Sequence, residues 1–509
     1  MEQMELNSAP KNTKLDNFSK EEIIQKYTII EDELARVVRE LYLLKGQKLS
    51  DEQLKFILAE QVESLTETIY GKKSERYKKP VKSSDDDGDS EDPEKKRLKK
   101  LSDRYPNIFV NEQFVEMEPI PKCPCCSKTM IDSDMFEVSE QLTVIPKKYE
   151  ILRTNRVKYV CGCRGAVVTA DPLERIIEGS SYSNEMIMDV ALSKYCDLIP
   201  INRYVKMADR GGLVGLPANS LIETTHAFAD FVSPVYSLIK QGILKSRVLR
   251  ADETPHLMLE GDEKDRWYLW GFSTDSLCFL ECRDTRSGDI ASEILVKSKC
   301  EVLVSDVYSG YGKAIRITNE VRQENRMPLI KAAHCNAHAR RYFFKNWPKY
   351  KEAQFYLDHY HEIYQLNAKA KGQDPPKILK YREEMRPRFE AMKAKAMEEL
   401  GSYSLKCKYA KALKYFLKNY ETLTFFMQDA EAPIDNNAQE RNLRSHVIGR
   451  KSWYGTHSKR GALTAAIMFS IVESCKLVGV NPRQYFQDLV QDLLDGAEPY
   501  TPADYKKSH

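Results

Sequence analysis

The chain has 509 residues, 42% hydrophobic and 30% charged, with a formal net charge of +3. Such a length implies about three domains and a sizeable core, and a charge so near balance names no nucleic-acid partner by itself. There is no N-terminal signal pattern and no apolar run of the roughly 18–20 residues a membrane helix needs, the longest lying near 461–472, so the chain reads as cytoplasmic with no membrane partner.

Residues 1–17 are polar and without period. Ile23, Ile30, Val37 and Leu44 then recur every seven residues, with Tyr27, Leu34 and Leu41 four after each of the first three. These are a and d positions, and β-branched residues at a with Leu at d favour a parallel dimer. The repeat is short, so an amphipathic helix packed on its own chain is the alternative. A second helical pattern over 51–70 ends at Gly71 and a basic patch, Lys72 to Tyr77, so 18–77 reads as a coiled-coil and helical region. Residues 78–100 are a disordered charged linker, acidic from Ser83 to Glu94 and basic from Lys95 to Lys100.

Five of the 12 cysteines fall within 123–163. Cys123 and Cys126 form C-x-x-C, which brings two thiolates to one tetrahedral zinc from a tight turn; Cys161 and Cys163 form C-x-C. With strand character over 137–144 and 149–160, residues 101–175 read as a zinc-ribbon-like domain holding structural Zn²⁺ through Cys123, Cys126, Cys161 and Cys163. Cys125 is a substitute ligand, and buried free cysteines are the alternative. Residues 176–245 are helical by pattern, with a glycine-containing turn at 211–217 between two helices. That fits a DNA-reading helix-turn-helix and equally a plain bundle.

Residues 246–480 carry the chemistry. Val248 to Ala251 is an apolar strand running into Asp252-Glu253-Thr254-Pro255; strands at 266–272 and 277–282 and a helix at 289–295 follow. Cys300 to Ser305 is a fourth strand ending in Asp306, and 329–335 is a fifth, leading into a helix at 337–343. This order is that of a ribonuclease-H-like α/β core, in which the first and fourth strands are adjacent and Asp252 neighbours Asp306. Residues 346–430 form a helical insertion outside the sheet. Its Lys406, Lys408, Lys411, Lys414 and Lys418 alternate with Tyr409, Tyr415 and Phe416; that suits a DNA backbone and also an ordinary surface helix with an aromatic core face. A helix capped by Asp435 carries Asn437, Glu440, Arg441 and Arg444 on one face. Ile448 to Gly455 reads as a basic, aromatic loop, 461–478 as a buried helix, and 481–509 as a C-terminal tail, loose after about 495.

These motifs together resemble the insertion sequence 66 transposases. The resemblance is carried by Asp252-Glu253-Thr254-Pro255, Ser305 to Tyr311, Ala337-His338-Ala339-Arg340-Arg341, Asn436 to Arg441, Gly449 to Trp453, the zipper with Gly71 to Glu75, and the Cys123 knuckle, over about 20–490. The C-x-C knuckle and the long linker depart from the pattern. The resemblance implies a DDE transposase in which Asp252, Asp306 and Glu440 hold two Mg²⁺ or Mn²⁺ ions. It would cut DNA at an element's terminal repeats and join the 3′ ends to target DNA. Glu253 and Asp435 are rival acids; strand alternation turns Glu253 to the opposite face, and capping explains Asp435. Arg341, Arg441, Arg444, Arg450, Lys451 and Trp453 are candidate DNA contacts, and His338 another. Expected partners are DNA, a second copy through the zipper, and element-encoded accessory proteins, with a nucleoid-associated location. The alternative function is a catalytically silent DNA-binding regulator.

Overall fold

The computed structural model describes residues 101–105, 108–114, 120–130, 139–162, 166–259, 266–403 and 407–508. The heptads, the helix over 51–70 and the charged linker lie outside the described residues, as do Cys163 and Lys406. Two compact units divide the chain at Thr143 and Val144.

In the first unit, Lys122 bridges Thr129 across a tight turn. The Cys123 amide donates to the Lys128 carbonyl at 2.8 Å, and Ser127, at φ 60°, donates to the Cys123 carbonyl at 2.9 Å. The amides of Cys125 and Cys126 point at the Cys123 thiol and hold its pKa below the usual thiol value. The turn is a knuckle that favours thiolate at its first cysteine.

The second unit opens with a two-stranded antiparallel ribbon, β1 (Lys158–Val160) and β2 (Val167–Thr169). The strand predicted over 149–160 is thus confined to its last three residues, and the described part of the strand predicted over 137–144, residues 139–144, is not a strand. Four helices follow: α1 (Asn184–Tyr195), α2 (Ile201–Arg210), α3 (Ala218–Phe231) and α4 (Ser233–Lys245). The turn between α2 and α3 needs Gly212 at φ 89° and Gly215 at φ 84°, a region that side chains with a Cβ avoid. Val190, Ile201, Tyr204 and Leu221 give α1–α3 a small core of their own.

Next come β3 (Val248–Leu257), β4 (Arg266–Ser273), β5 (Cys278–Arg283), α5 (Gly288–Lys297), β6 (Val302–Ser305), α6 (Ser309–Glu324) and β7 (Lys331–His334). They form one mixed sheet in the order β5-β4-β3-β6-β7. β3 is antiparallel to β4 and parallel to β6, so the first and fourth strands of the region lie side by side. Helix α6 occupies a stretch between the fourth and fifth strands for which the sequence pattern predicts no element.

Beyond the sheet lie α7 (Asn336–Asn346), α8 (Ala353–Ala370), α9 (Pro375–Leu400), α10 (Lys408–Lys418) and α11 (Tyr420–Thr424). They close around Phe343, Tyr356, Phe389, Tyr409 and Phe416 and pack against Val302, Val304 and Ala333 of the sheet. The chain then returns as α12 (Asn437–Trp453), α13 (Lys459–Val478), α14 (Pro482–Leu494) and α15 (Pro502–Ser508). α13 guards the sheet edge: Ser474 and Ser470 accept the Cys278 and Leu280 amides of β5, both at 2.9 Å. Those amides would otherwise be an open template for another strand.

Three expectations are corrected. The segment 448–453 is not a loop but the last turns of α12, because the Trp453 ring packs where a Cβ at Gly449 would be. The end of the chain is not loose: Tyr485 donates to the Tyr500 carbonyl at 2.6 Å, and Tyr505 is buried and reaches Asp488 at 2.5 Å. Finally, α13 is long and apolar enough to cross a membrane by length and composition alone, although 83% of its apolar window is buried inside the protein.

Candidate active site

Side chains alternate along β3, and the two faces meet different neighbours. Glu253 turns toward α6, where the Tyr311 hydroxyl donates to its carboxylate and Arg286 binds it at 2.7 Å. Asp252 takes the other face, and its Oδ1 accepts only the neighbouring Glu253 amide, at 3.0 Å, among the described hydrogen bonds. Val248, Leu249 and Arg250 pair with Val302, Leu303 and Val304. Two residues further along each strand stand Asp252 and Asp306, so the parallel register brings the two acids abreast. Asp306 is held where the chain leaves β6, its Oδ1 accepting the Tyr308 amide at 3.0 Å.

The third acid arrives on α12, which two sequence features press against the sheet. Asn436, buried at the head of the helix, donates its side-chain amide to the Ala251 carbonyl at 2.8 Å, and its backbone N–H points at the Cys335 thiol at 3.2 Å. Gly271, opposite Asp252 in the ladder, leaves room for buried Gln439: a Cβ there would lie 2.0 Å from Gln439 Nε2. Glu440 follows directly. Its amide donates to the Asn436 carbonyl at 3.2 Å, and its carboxylate faces His338 Nδ1 at 3.6 Å and Arg341 Nη2 at 3.7 Å.

The three acids act on one another electrostatically, although their donor atoms do not all lie within 4.8 Å of one another. Burial, then the charges of Glu253, Asp306 and Glu440, push the Asp252 carboxyl up to about 8. Like charges at close range cannot all ionise without a cation between them. Glu440 Oε1 and His338 Nδ1 are sealed from solvent with no hydrogen-bond partner. Donor atoms of Cys335, His338 and Glu440 also lie within 4.8 Å of one another, the group among the described residues that could hold a metal ion by donor type. The pairing of hard carboxylate oxygens with an unneutralised acid cluster fits divalent cations.

The remaining predicted residues divide. Arg441, Arg444 and Lys451 are exposed along α12, while Arg450 and Trp453 are half-buried. Burial, then the charge of Arg266, lowers the pKa of Arg450, so two cations press together beside the helix. Asp435 is not the cap residue: α12 starts at Asn437, with Asn436 at the cap position. Asp435 stands one residue earlier, accepting the Asn437 amide at 3.1 Å and the Tyr364 hydroxyl at 3.0 Å.

Sequence reasoning gave no positioning role to Asn436 or Gly271, and it missed a buried histidine pair. His256 Nδ1 shares a hydrogen bond with His446 Nε2 at 2.9 Å, and its Nε2 meets Thr456 Oγ1 at 2.8 Å, tying β3 to α12. Burial drives His256 down to about 4, so the pair is neutral at ordinary pH. The spacing of Asp252 and His256 on one strand face was the available signal; the partner on a distant helix was not.

The fold and its acids define a class: an α/β protein with carboxylates gathered where parallel strands end, against a later helix. The profile described as "Transposase IS66 family" matches residues 179–464, more than half of the chain, and the protein belongs to that family. A transposase-like function follows from that membership, and the family implies DNA as partner and use of divalent metal. Relatives include the uncharacterized proteins y4hP and y4qI of Sinorhizobium fredii (strain NBRC 101917 / NGR234). They are 25% identical over 77% of this chain and 74% of y4hP, and 26% over 76% of this chain and 72% of y4qI.

Proposed function

We propose that this chain is a DDE transposase with a ribonuclease-H-like core, which binds the terminal inverted repeats of its element, cleaves phosphodiester bonds at the ends and joins the 3′ ends to target DNA. The observation that supports the reading is that β3 and β6 are parallel neighbours leading into Asp252 and Asp306, while Asn436 ties the head of the Glu440 helix to β3; Asp252 is raised to about 8 by burial and by Glu253, Asp306 and Glu440.

Asp252, Asp306 and Glu440 would hold Mg²⁺ or Mn²⁺. When bound, two such ions polarise the scissile phosphate and lower the pKa of a water or 3′-hydroxyl. The protein's own groups do the rest. Asp306 is fixed at the strand end by the Tyr308 amide. His338 and Arg341 hold Glu440 toward the sheet. Arg341, Arg441, Arg444, Arg450, Lys451 and Trp453 supply DNA contacts, the cations at Arg450 and Arg266 being suited to a phosphate.

The test is cleavage of DNA carrying the repeats that flank the coding region, with Mg²⁺ present. Asp306→Ala abolishes cutting and leaves binding intact; a variant that still cuts refutes the assignment. We also propose structural Zn²⁺ on Cys123, Cys126, Cys161 and Cys163, supported by the thiolate-favouring turn at Cys123. Elemental analysis of purified protein by mass spectrometry finds zinc at stoichiometric level if this is right, and a Cys123→Ser variant has lost it.

A further inference from the structure

Helices α7 and α10 lie side by side outside the sheet, and aromatic contacts give their direction. Tyr342 meets Tyr415 with ring centroids 4.5 Å apart, Phe343 meets Phe416 at 6.0 Å, and Tyr350, just past α7, stacks on Tyr409 at 5.2 Å. Rising numbers on one helix face falling numbers on the other, so the two run antiparallel. The start of α7, with His338 and Arg341, therefore adjoins the end of α10, with Lys418.

The outer faces have a consistent chemistry. On α10, Tyr409, Ala412, Leu413 and Phe416 are buried, and Lys408, Lys411, Lys414 and Lys418 are exposed. Their spacing puts the lysines on one side of the helix. On α7, Phe343 is buried, Tyr342 is 43% exposed and Lys345 is exposed one turn on from Arg341. Neither helix contains an acidic residue. The nearest acid in sequence, Glu421, faces Lys393 at 3.8 Å. Among the described residues, no acidic side chain forms an ion pair with Lys345, Lys411, Lys414 or Lys418.

This strip begins at the candidate site. Arg341 Nη2 is 3.7 Å from the Glu440 carboxylate. At the other helix, the Tyr415 hydroxyl is pushed above its usual pKa by burial and by Tyr342, Cys335 and Asp306, so the tyrosine pair feels the Asp306 carboxylate. Exposed like charges in a row repel weakly in water, and a polyanion lying along them replaces that repulsion with attraction. Lys408 to Lys418 spans about 15 Å at ~1.5 Å per residue, the axial rise of about four phosphates along one DNA strand at ~3.4 Å each.

We propose that the joined outer faces of α7 and α10 are a track for the sugar–phosphate backbone of the DNA strand entering the carboxylate site, with Tyr342 as a platform for an unpaired base at its mouth. This rests on the DDE reading above and adds to it the path of the substrate. The basic helix is thereby a binding surface on its lysine face and core on its aromatic face.

The test measures binding of the full-length protein to a labelled mixed-sequence DNA duplex and to its single strand, without divalent ions, across a salt series. A variant carrying Lys411→Ala, Lys414→Ala and Lys418→Ala is compared with a control carrying Lys377→Ala, Arg386→Ala and Lys395→Ala, whose side chains pair with acids of or beside α9. Removing one lysine–phosphate pair lowers the slope of log K against log salt by about 0.9 for duplex DNA, so the first variant's slope falls by about 2–3 and the control keeps it. Tyr342→Ala weakens single-strand binding about tenfold, and Tyr342→Phe restores it. An unchanged slope, an equal drop in the control, or single-strand binding that Tyr342→Ala leaves unchanged overturns the proposal. Asp306→Ala separates the two readings. If it still cuts while the lysine variant's slope falls, the acid assignment fails and the track stands.

Discussion

Asp252 and Glu253 are adjacent acids on one strand, both raised by burial, and the protein gives them different neighbours. Glu253 enters the core and is met there by Arg286 and Tyr311. Those two partners offset only part of the cost of burial, which still holds the Glu253 carboxyl above its usual value, and they make it a structural anchor between β3 and α6. Asp252 meets further acids, and its carboxyl rises to about 8. A protein that only needed stability would not gather carboxylates without a partner. The contrast teaches that burial of an acid is uninformative by itself, and that the supply of counter-charge separates a packing acid from a functional one.

Four experiments break or sharpen this contrast. The largest effect separates the two acids directly. Asp252→Asn lowers cleavage by about a thousandfold, as the loss of several kcal/mol of transition-state stabilisation requires, whereas Glu253→Gln retains most of it in a quantitative end-cleavage assay. Equal losses would remove the distinction.

Next is Gly271→Val, which keeps every acid but forces Gln439 away from the sheet. Displacing α12 by about 1 Å costs about a hundredfold in cleavage, while circular dichroism shows the fold retained. Full activity would mean that α12 need not approach so closely.

Third, Glu253→Gln removes a charge-assisted pair with Arg286 and so lowers stability by about 2 kcal/mol in urea unfolding. Asp252→Asn does not.

The smallest effect is in the pH dependence of the metal-free protein. Asp252 has a folded pKa near 8 against an ordinary value of 3.8. Its contribution is therefore fully present below about pH 4 and lost as pH rises through 8, because the unfolded chain releases the proton more readily. With chelator present, Asp252→Asn is more stable than the parent protein at pH 8, and the difference vanishes at pH 4. Added Mg²⁺ closes the gap by stabilising the parent protein alone. A parent protein whose stability does not fall between pH 4 and 8 relative to the variant refutes the crowding of acids at Asp252.

Much of the sheet was legible because strands advertise themselves locally. The apolar runs before Asp252 and Asp306 are short and continuous, and the alternation that separates Asp252 from Glu253 needs no knowledge of the fold. Glu440 was legible as a helical residue, but its approach to Asp252 depends on Gly271 and Asn436. The Asn436 bond to Ala251 joins residues 185 apart in sequence, and no local pattern encodes such a contact. The polar end of the chain misled for the same reason, since Tyr500 and Tyr505 gain their burial from α14.

By itself, the sequence determined which side chains could do chemistry: carboxylates at the ends of apolar strands, cysteines at knuckle spacing, and lysines along one side of a helix. Periodicity and residue type are properties of the covalent chain, so they survive without coordinates. Only the tertiary structure decided which groups act together. The parallel register of β3 and β6 sets Asp252 beside Asp306, the missing Cβ of Gly271 admits α12, and the antiparallel α7–α10 pair joins two basic faces into one strip. These are long-range packing outcomes, and their reason is shape: which surfaces fit closely enough to exclude water is settled only when the elements meet.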